Sequence, residues 1–189
     1  VAHHVFESIY DKAKDIDGIC TADQFENVFD RYYDSIFDEA VRHCGLILTQ
    51  PEKEITSKHL KSLLKEHSIP KWIELLKENN LRIVKSELEV SGVISSPDKK
   101  TDIKLNARID LLLKNADDNY VIFDLKYHGG TGTTKRQNQI KDGKDYQLVM
   151  YRALVEKMVE EKRLPEGKVD AVGFFMLATS ELFSAYPFV

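Results

Sequence analysis

Hydrophobic and polar positions change rhythm at Leu81, and the change divides the chain in two. Before it, apolar residues recur every three or four positions, the spacing of amphipathic helices. Residues 5–15 predict a short helix ending ahead of Asp17-Gly18, and the opening VAHHVF already has the look of a helix under way. Thr21 reads as an N-cap with Gln24 three residues on. Phe25, Val28, Phe29, Tyr32, Ile36, Phe37, Ala40 and Val41 then predict a long helix to about Cys44, stopped by Gly45. Residues 56–67 and 71–79 predict two more short helices, split by Pro70.

From Leu81 the period becomes two, the spacing of strands. LRIVKSELEVSGVI, IKLNARIDLLL and YVIFDLKY predict three strands, joined by turns at SPDKK (96–100) and NADDN (115–119). HGGTGTTKRQNQIKDGK (128–144) is a loop rich in Gly, Thr and Lys. Residues 146–163 predict an amphipathic helix with Leu148, Tyr151, Val155 and Met158 on one side; LPEG breaks it, and VDAVGFFML (169–177) is the last predicted strand. The expectation is an α/β (α+β) fold. It is a single domain over 1–189, with a helical part (1–80) and a part that carries the sheet (81–189).

Composition narrows the class. The chain is 42% hydrophobic and 31% charged, which suits a soluble globular protein, and no apolar run approaches a membrane span. Two cysteines, Cys20 and Cys44, are too few for a disulfide framework, so a reducing cytoplasm is expected, with both thiols buried. A net charge of −4 argues against coating nucleic acid by bulk charge, although a local basic groove is compatible with it. A chain that opens on Val1 inside a helical pattern is expected to be part of a larger protein.

The second and third strands carry Asp110, Asp124 and Lys126 in their interiors. Asp is a poor strand former, and buried charge is costly unless paired or bound to metal. If residues 115–119 form the turn, Lys114 faces Tyr120 and Asp110 falls directly across from Asp124, with Cβ atoms about 5 Å apart. Lys126, two residues beyond Asp124, shares its face. Two ionised carboxylates at that distance repel, and a divalent cation removes the conflict. Oxygen ligands of this kind suit Mg²⁺ or Mn²⁺, which lower the pKa of water so that it can attack phosphorus. Lys126 could then hold that hydroxide, or stabilise charge on the phosphate in the transition state. A solvated ion pair of Asp110 with Lys126 or Arg108 is the plainer alternative on these residues alone. Glu87, on SELEV (86–90), is a further candidate acidic contributor, although Glu87 and Glu89 alternate with Leu88 and Val90 and read first as a solvent-facing row.

The order ARID (107–110), DLK (124–126) and QLVMY (147–151) resembles the RecB-like branch of the PD-(D/E)xK nuclease superfamily, with Ala107 where that family usually has Gly. HHVFE (3–7) resembles its upstream helix with a metal-binding His and a Glu four residues on. The resemblance spans nearly the whole chain. It implies a restriction-endonuclease-like core, a central mixed sheet flanked by helices. Asp110, Asp124, the backbone carbonyl of Leu125 and His3 would hold Mg²⁺ or Mn²⁺. Lys126 would be the catalytic lysine, and Gln147 and Tyr151 would line the site. It further implies a DNA nuclease, an exonuclease module beside a helicase in repair or recombination. Apart from the resemblance, residues 128–141 carry Lys135, Arg136 and Lys141 and no acidic residue, and read equally as a wall for the DNA backbone or as an ordinary solvated loop.

Two cofactors are not expected. Some relatives hold an iron–sulfur cluster on four cysteines, and two are present here. The loop lacks G-x-x-x-x-G-K-[ST], so no ATP is expected to bind, and a nucleotide-binding module is disfavoured. The competing reading is a catalytically inactive nucleic-acid-binding or scaffold domain of the same fold.

Overall fold

Five strands form one mixed sheet in the order β1-β2-β3-β4-β5, and helices cover both faces. The structure, a computed structural model, describes residues 1–95, 102–127, 138–140 and 145–184. The elements are α1 (Ala2–Ala13), α2 (Ala22–His43), α3 (Gln50–Leu63), α4 (Ile69–Glu78), β1 (Arg82–Ser95), β2 (Asp102–Lys114), β3 (Tyr120–Lys126), α5 (Tyr146–Glu160), β4 (Val169–Met176) and β5 (Glu181–Ser184). β1, β2 and β3 run antiparallel in turn, β3 and β4 pair parallel across the α5 connection, and β5 folds back antiparallel on β4. The parallel pair needs such a crossover, and α5 supplies it. This is the expected mixed sheet flanked by helices.

Alternation assigns the two faces. Val121, Phe123 and Leu125 of β3 pack with α1, α2, α3 and α4, whereas Tyr120 and Ile122 pack with α5 through Leu148, Leu154 and Val155. Trp72 of α4 is fully buried, with ring centroids 6.1 Å from Phe6, 5.5 Å from Phe123 and 5.1 Å from Phe175. These contacts fasten α1 to the middle of the sheet through Phe6, one turn beyond His3.

Several boundaries follow local chemistry. The Thr21–Gln24 capping box opens α2 as expected, and Gly45, at φ +63°, follows its end. α1 begins three residues earlier than the pattern of apolar residues predicts. α3 starts at Gln50 rather than residue 56, because Thr49 and Glu52 form a second capping box with Pro51 in the first turn. Pro70 does not split the helices either. A π-helical turn, Leu64–Ser68, carries α3 into α4, with the Ile69 N–H reaching the Leu64 carbonyl, and the wider turn accommodates the proline. The apolar strand ending near Leu177 is not the last, since β5 follows; its four residues are too few for a periodic signal. The predicted turn at 96–100 lies outside the described residues.

Candidate active site

The β2–β3 register pairs Leu111 with Phe123 and Lys114 with Tyr120, so continuing it by one residue sets Asp110 across from Asp124, as the turn length predicts. The ladder stops there. In its place the Asp110 carboxylate accepts the backbone N–H of Leu125, at 2.7 Å from Oδ2. Alternation also breaks at this point. Ile109 and Leu111 should share a face, yet Ile109 packs on the α5 side and Leu111 on the α1 side. Asp110 sits at the switch, and Glu87, opposite it on β1, holds a left-handed backbone at φ +48°. The strands therefore part where the carboxylates meet.

Asp124 is buried. Its Oδ1 accepts the Gln147 side-chain amide at 2.8 Å and lies 3.1 Å from the Tyr151 hydroxyl. That hydroxyl also accepts from the Gln147 amide at 2.8 Å and lies 3.0 Å from the Arg108 carbonyl, so its single proton serves one of two acceptors. The spacing of four on α5 puts both groups on one side of the helix, and Asp145 caps that helix by accepting the Gln147 N–H. Asp124 Oδ2 faces the Lys126 ammonium, which also lies over the Phe174 ring at 5.6 Å from its centroid.

Burial, followed by the charge of Asp124, pushes the Asp110 carboxyl up to about 7; the Leu125 N–H pulls the other way. Burial and then the same aspartate raise the Tyr151 hydroxyl. The two carboxylates thus crowd one another, which is the condition a cation relieves. His3 comes in from the first turn of α1, with Nδ1 3.7 Å from Asp110 Oδ2. Among the described residues no three His, Cys, Asp or Glu side chains already form a ligating cluster. A hard cation held by one or two carboxylates and several waters does not require one.

The structure thus brings together His3, Asp110, Asp124, Leu125, Lys126, Gln147 and Tyr151. Lys135, Arg136 and Lys141 lie outside the described residues, as does most of the 128–144 loop.

Glu7, four residues beyond His3, meets His4 Nδ1 at 2.8 Å, and the His4 ring lies 4.1 Å from that of His43. Two expectations change. Glu87 does not stand in a solvent-facing row. Its side chain is only 18% exposed and meets Arg108 Nε at 2.6 Å, because its left-handed backbone turns it inward. Cys44 is exposed, since it follows the last buried turn of α2; Cys20 is buried as expected. The one sequence sign for Glu87 was an acidic side chain on the strand before Asp110, and alternation pointed the other way.

No helix among the described residues is long and apolar enough to cross a membrane. No curated protein matches the chain significantly. The family model of the PD-(D/E)XK nuclease superfamily matches residues 1–182, and the chain belongs to that superfamily.

Proposed function

We propose that this chain is a divalent-metal-dependent deoxyribonuclease of the RecB-like branch. It would serve as a single nuclease domain, an exonuclease module that works beside a helicase in DNA repair or recombination in the cytoplasm. The observation that carries the reading is the buried Asp124. It is held by Gln147 and Tyr151 on one oxygen and by Lys126 on the other, next to an Asp110 whose carboxyl is raised by the same charge. A structural ion pair would need none of the helix contacts, and crowding two carboxylates costs stability unless a cation is to join them.

Asp110, Asp124, the Leu125 carbonyl and His3 would hold Mg²⁺ or Mn²⁺. That cation supplies Lewis-acid polarisation of a phosphate and a lowered pKa for water. The chain's own groups do the rest. Gln147 and Tyr151 fix the Asp124 carboxylate in one orientation, and the Leu125 N–H fixes Asp110. Lys126, with its ammonium already partly desolvated over Phe174, stabilises negative charge as it builds on the phosphate oxygens. Lys135, Arg136 and Lys141 would contact the DNA backbone. Intact Asp110, Asp124 and Lys126 stand against an inactive scaffold.

The test is a nuclease assay with Mg²⁺ or Mn²⁺ on end-labelled linear and on circular single-stranded DNA, with Lys126→Ala and Asp110→Asn as controls. Cutting of linear DNA alone, abolished in both variants, is the expected result. Cutting that persists in both variants would overturn the assignment, and cutting of circles would make the enzyme an endonuclease.

A further inference from the structure

Arg108 lies two residues before Asp110 on β2, with a side chain 62% exposed. Its backbone is tied to the site, because its carbonyl lies 3.0 Å from the Tyr151 hydroxyl that also touches Asp124. Its side chain is tied separately, by Nε to Glu87 Oε2 at 2.6 Å. Glu87 is an unusual partner. It stands opposite Asp110 in the β1–β2 register, it is 18% exposed, and it adopts φ +48° in the middle of a strand. Burial first, and then the charge of Glu7, disfavours its ionised form, while Arg108, His4 of α1 and His43 of α2 favour it.

A non-glycine residue in the left-handed region is strained, and such strain gathers at binding and catalytic sites. The Glu87 carboxylate is mostly buried whereas the Arg108 side chain stays 62% exposed, so the ion pair holds an accessible guanidinium two residues from Asp110. A guanidinium carries five N–H donors in a planar fork, so the ion pair of Nε with one carboxylate oxygen of Glu87 does not use up the donors that take two oxygens of one phosphate. A polyanion approaching Asp110, Asp124 and Glu87 also meets like charge, which a fixed cation beside them offsets.

We infer that Arg108 grips a phosphate of the nucleic-acid substrate next to the bond being cut, and that Glu87 is the positioning residue that presents it. This rests on the nuclease reading and adds to it the residue that seats the substrate.

The test measures KM and kcat on an end-labelled oligonucleotide with Mg²⁺ over a series of salt concentrations, together with Tm, for the whole chain. Arg108→Ala is expected to raise KM about tenfold or more, with a smaller change in kcat. It should also lower the dependence of log KM on log salt by about one. Arg108→Lys, which keeps the charge but not the fork, should recover the salt dependence and only part of KM. Glu87→Gly relaxes the left-handed backbone, so it should raise Tm while still raising KM.

Wild-type KM and salt dependence in Arg108→Ala would overturn the inference and leave the nuclease reading standing. So would a Glu87→Gly variant with raised Tm and unchanged KM, which would reduce Glu87 to a turn former. A wild-type chain that cuts no DNA would overturn both.

Discussion

Asp110 accepts the backbone N–H of Leu125 at 2.7 Å, just past the point where the β2–β3 ladder ends. A side chain thus substitutes for the next main-chain partner and stitches the parted strands. With its carboxyl pushed up to about 7, mainly by burial and then by Asp124, Asp110 binds its proton more tightly folded than unfolded, where 3.8 is ordinary. Folding is therefore favoured by that proton below about pH 4, and this contribution is lost as pH rises through about 7. The cation-free protein should lose stability steadily over that window, by an amount on the order of a few kcal/mol at most, and its Tm should fall accordingly. Asp110→Asn should flatten the slope and raise Tm at pH 8. Thermal melts in EDTA from pH 4.5 to 8 check this; an equal slope in the variant would contradict it.

The same proton has to leave before a cation can be held. Mn²⁺ affinity should therefore rise through pH 6–8, by up to about tenfold per pH unit below 7, and level off above it. Calorimetric titration at several pH values measures this, and the number of protons released on binding should fall toward zero at pH 8.

Lys126→Ala removes the counter-charge of a buried carboxylate. Breaking one side of such a pair costs about 3–5 kcal/mol, which for a chain of this size lowers Tm by roughly 10 °C. Added Mn²⁺ should restore part of that loss, while the cleavage rate stays down by about 10²–10³-fold. A variant with wild-type Tm would show that Lys126 does not neutralise Asp124.

Tyr151→Phe deletes one hydroxyl and leaves the Gln147 amide on Asp124. The loss should be about 1–2 kcal/mol of stability and about tenfold in kcat. Gln147→Ala should cost more in kcat than Tyr151→Phe, because the amide touches both Asp124 and the hydroxyl. Single-turnover rates on the same oligonucleotide rank the two.

Thiol titration separates the cysteines. Cys44 is exposed, whereas Cys20 is buried and its thiol is pushed up to about 12, chiefly by burial and further by Asp15. A thiol reagent at pH 8 should react with one cysteine in the native chain and with two in guanidinium.

Where the chain is regular, the elements and their contacts were legible. The five-residue turn at 115–119 set the β2–β3 register, and with it the facing of Asp110 and Asp124. The spacing of Gln147 and Tyr151 predicted one helix side. What escaped was irregular. A left-handed Glu87 reverses the alternation on which the reading of β1 relied, and nothing in SELEV announces it. The π-helical turn before α4 hides behind a proline that ordinarily ends a helix.

The irregular course of β1 also bears on self-association. β1 is the sheet's longest strand and lies at its edge, the place where a second chain adds itself to an unguarded sheet. Its first residues are covered where Cys20 exchanges both main-chain hydrogen bonds with Ile83. The register shift between Ile83 and Lys85 and the turned backbone at Glu87 then interrupt the straight row of donors and acceptors that edge-to-edge stacking requires. The kink that reorients one carboxylate thereby also helps keep the molecule from polymerising through its border strand.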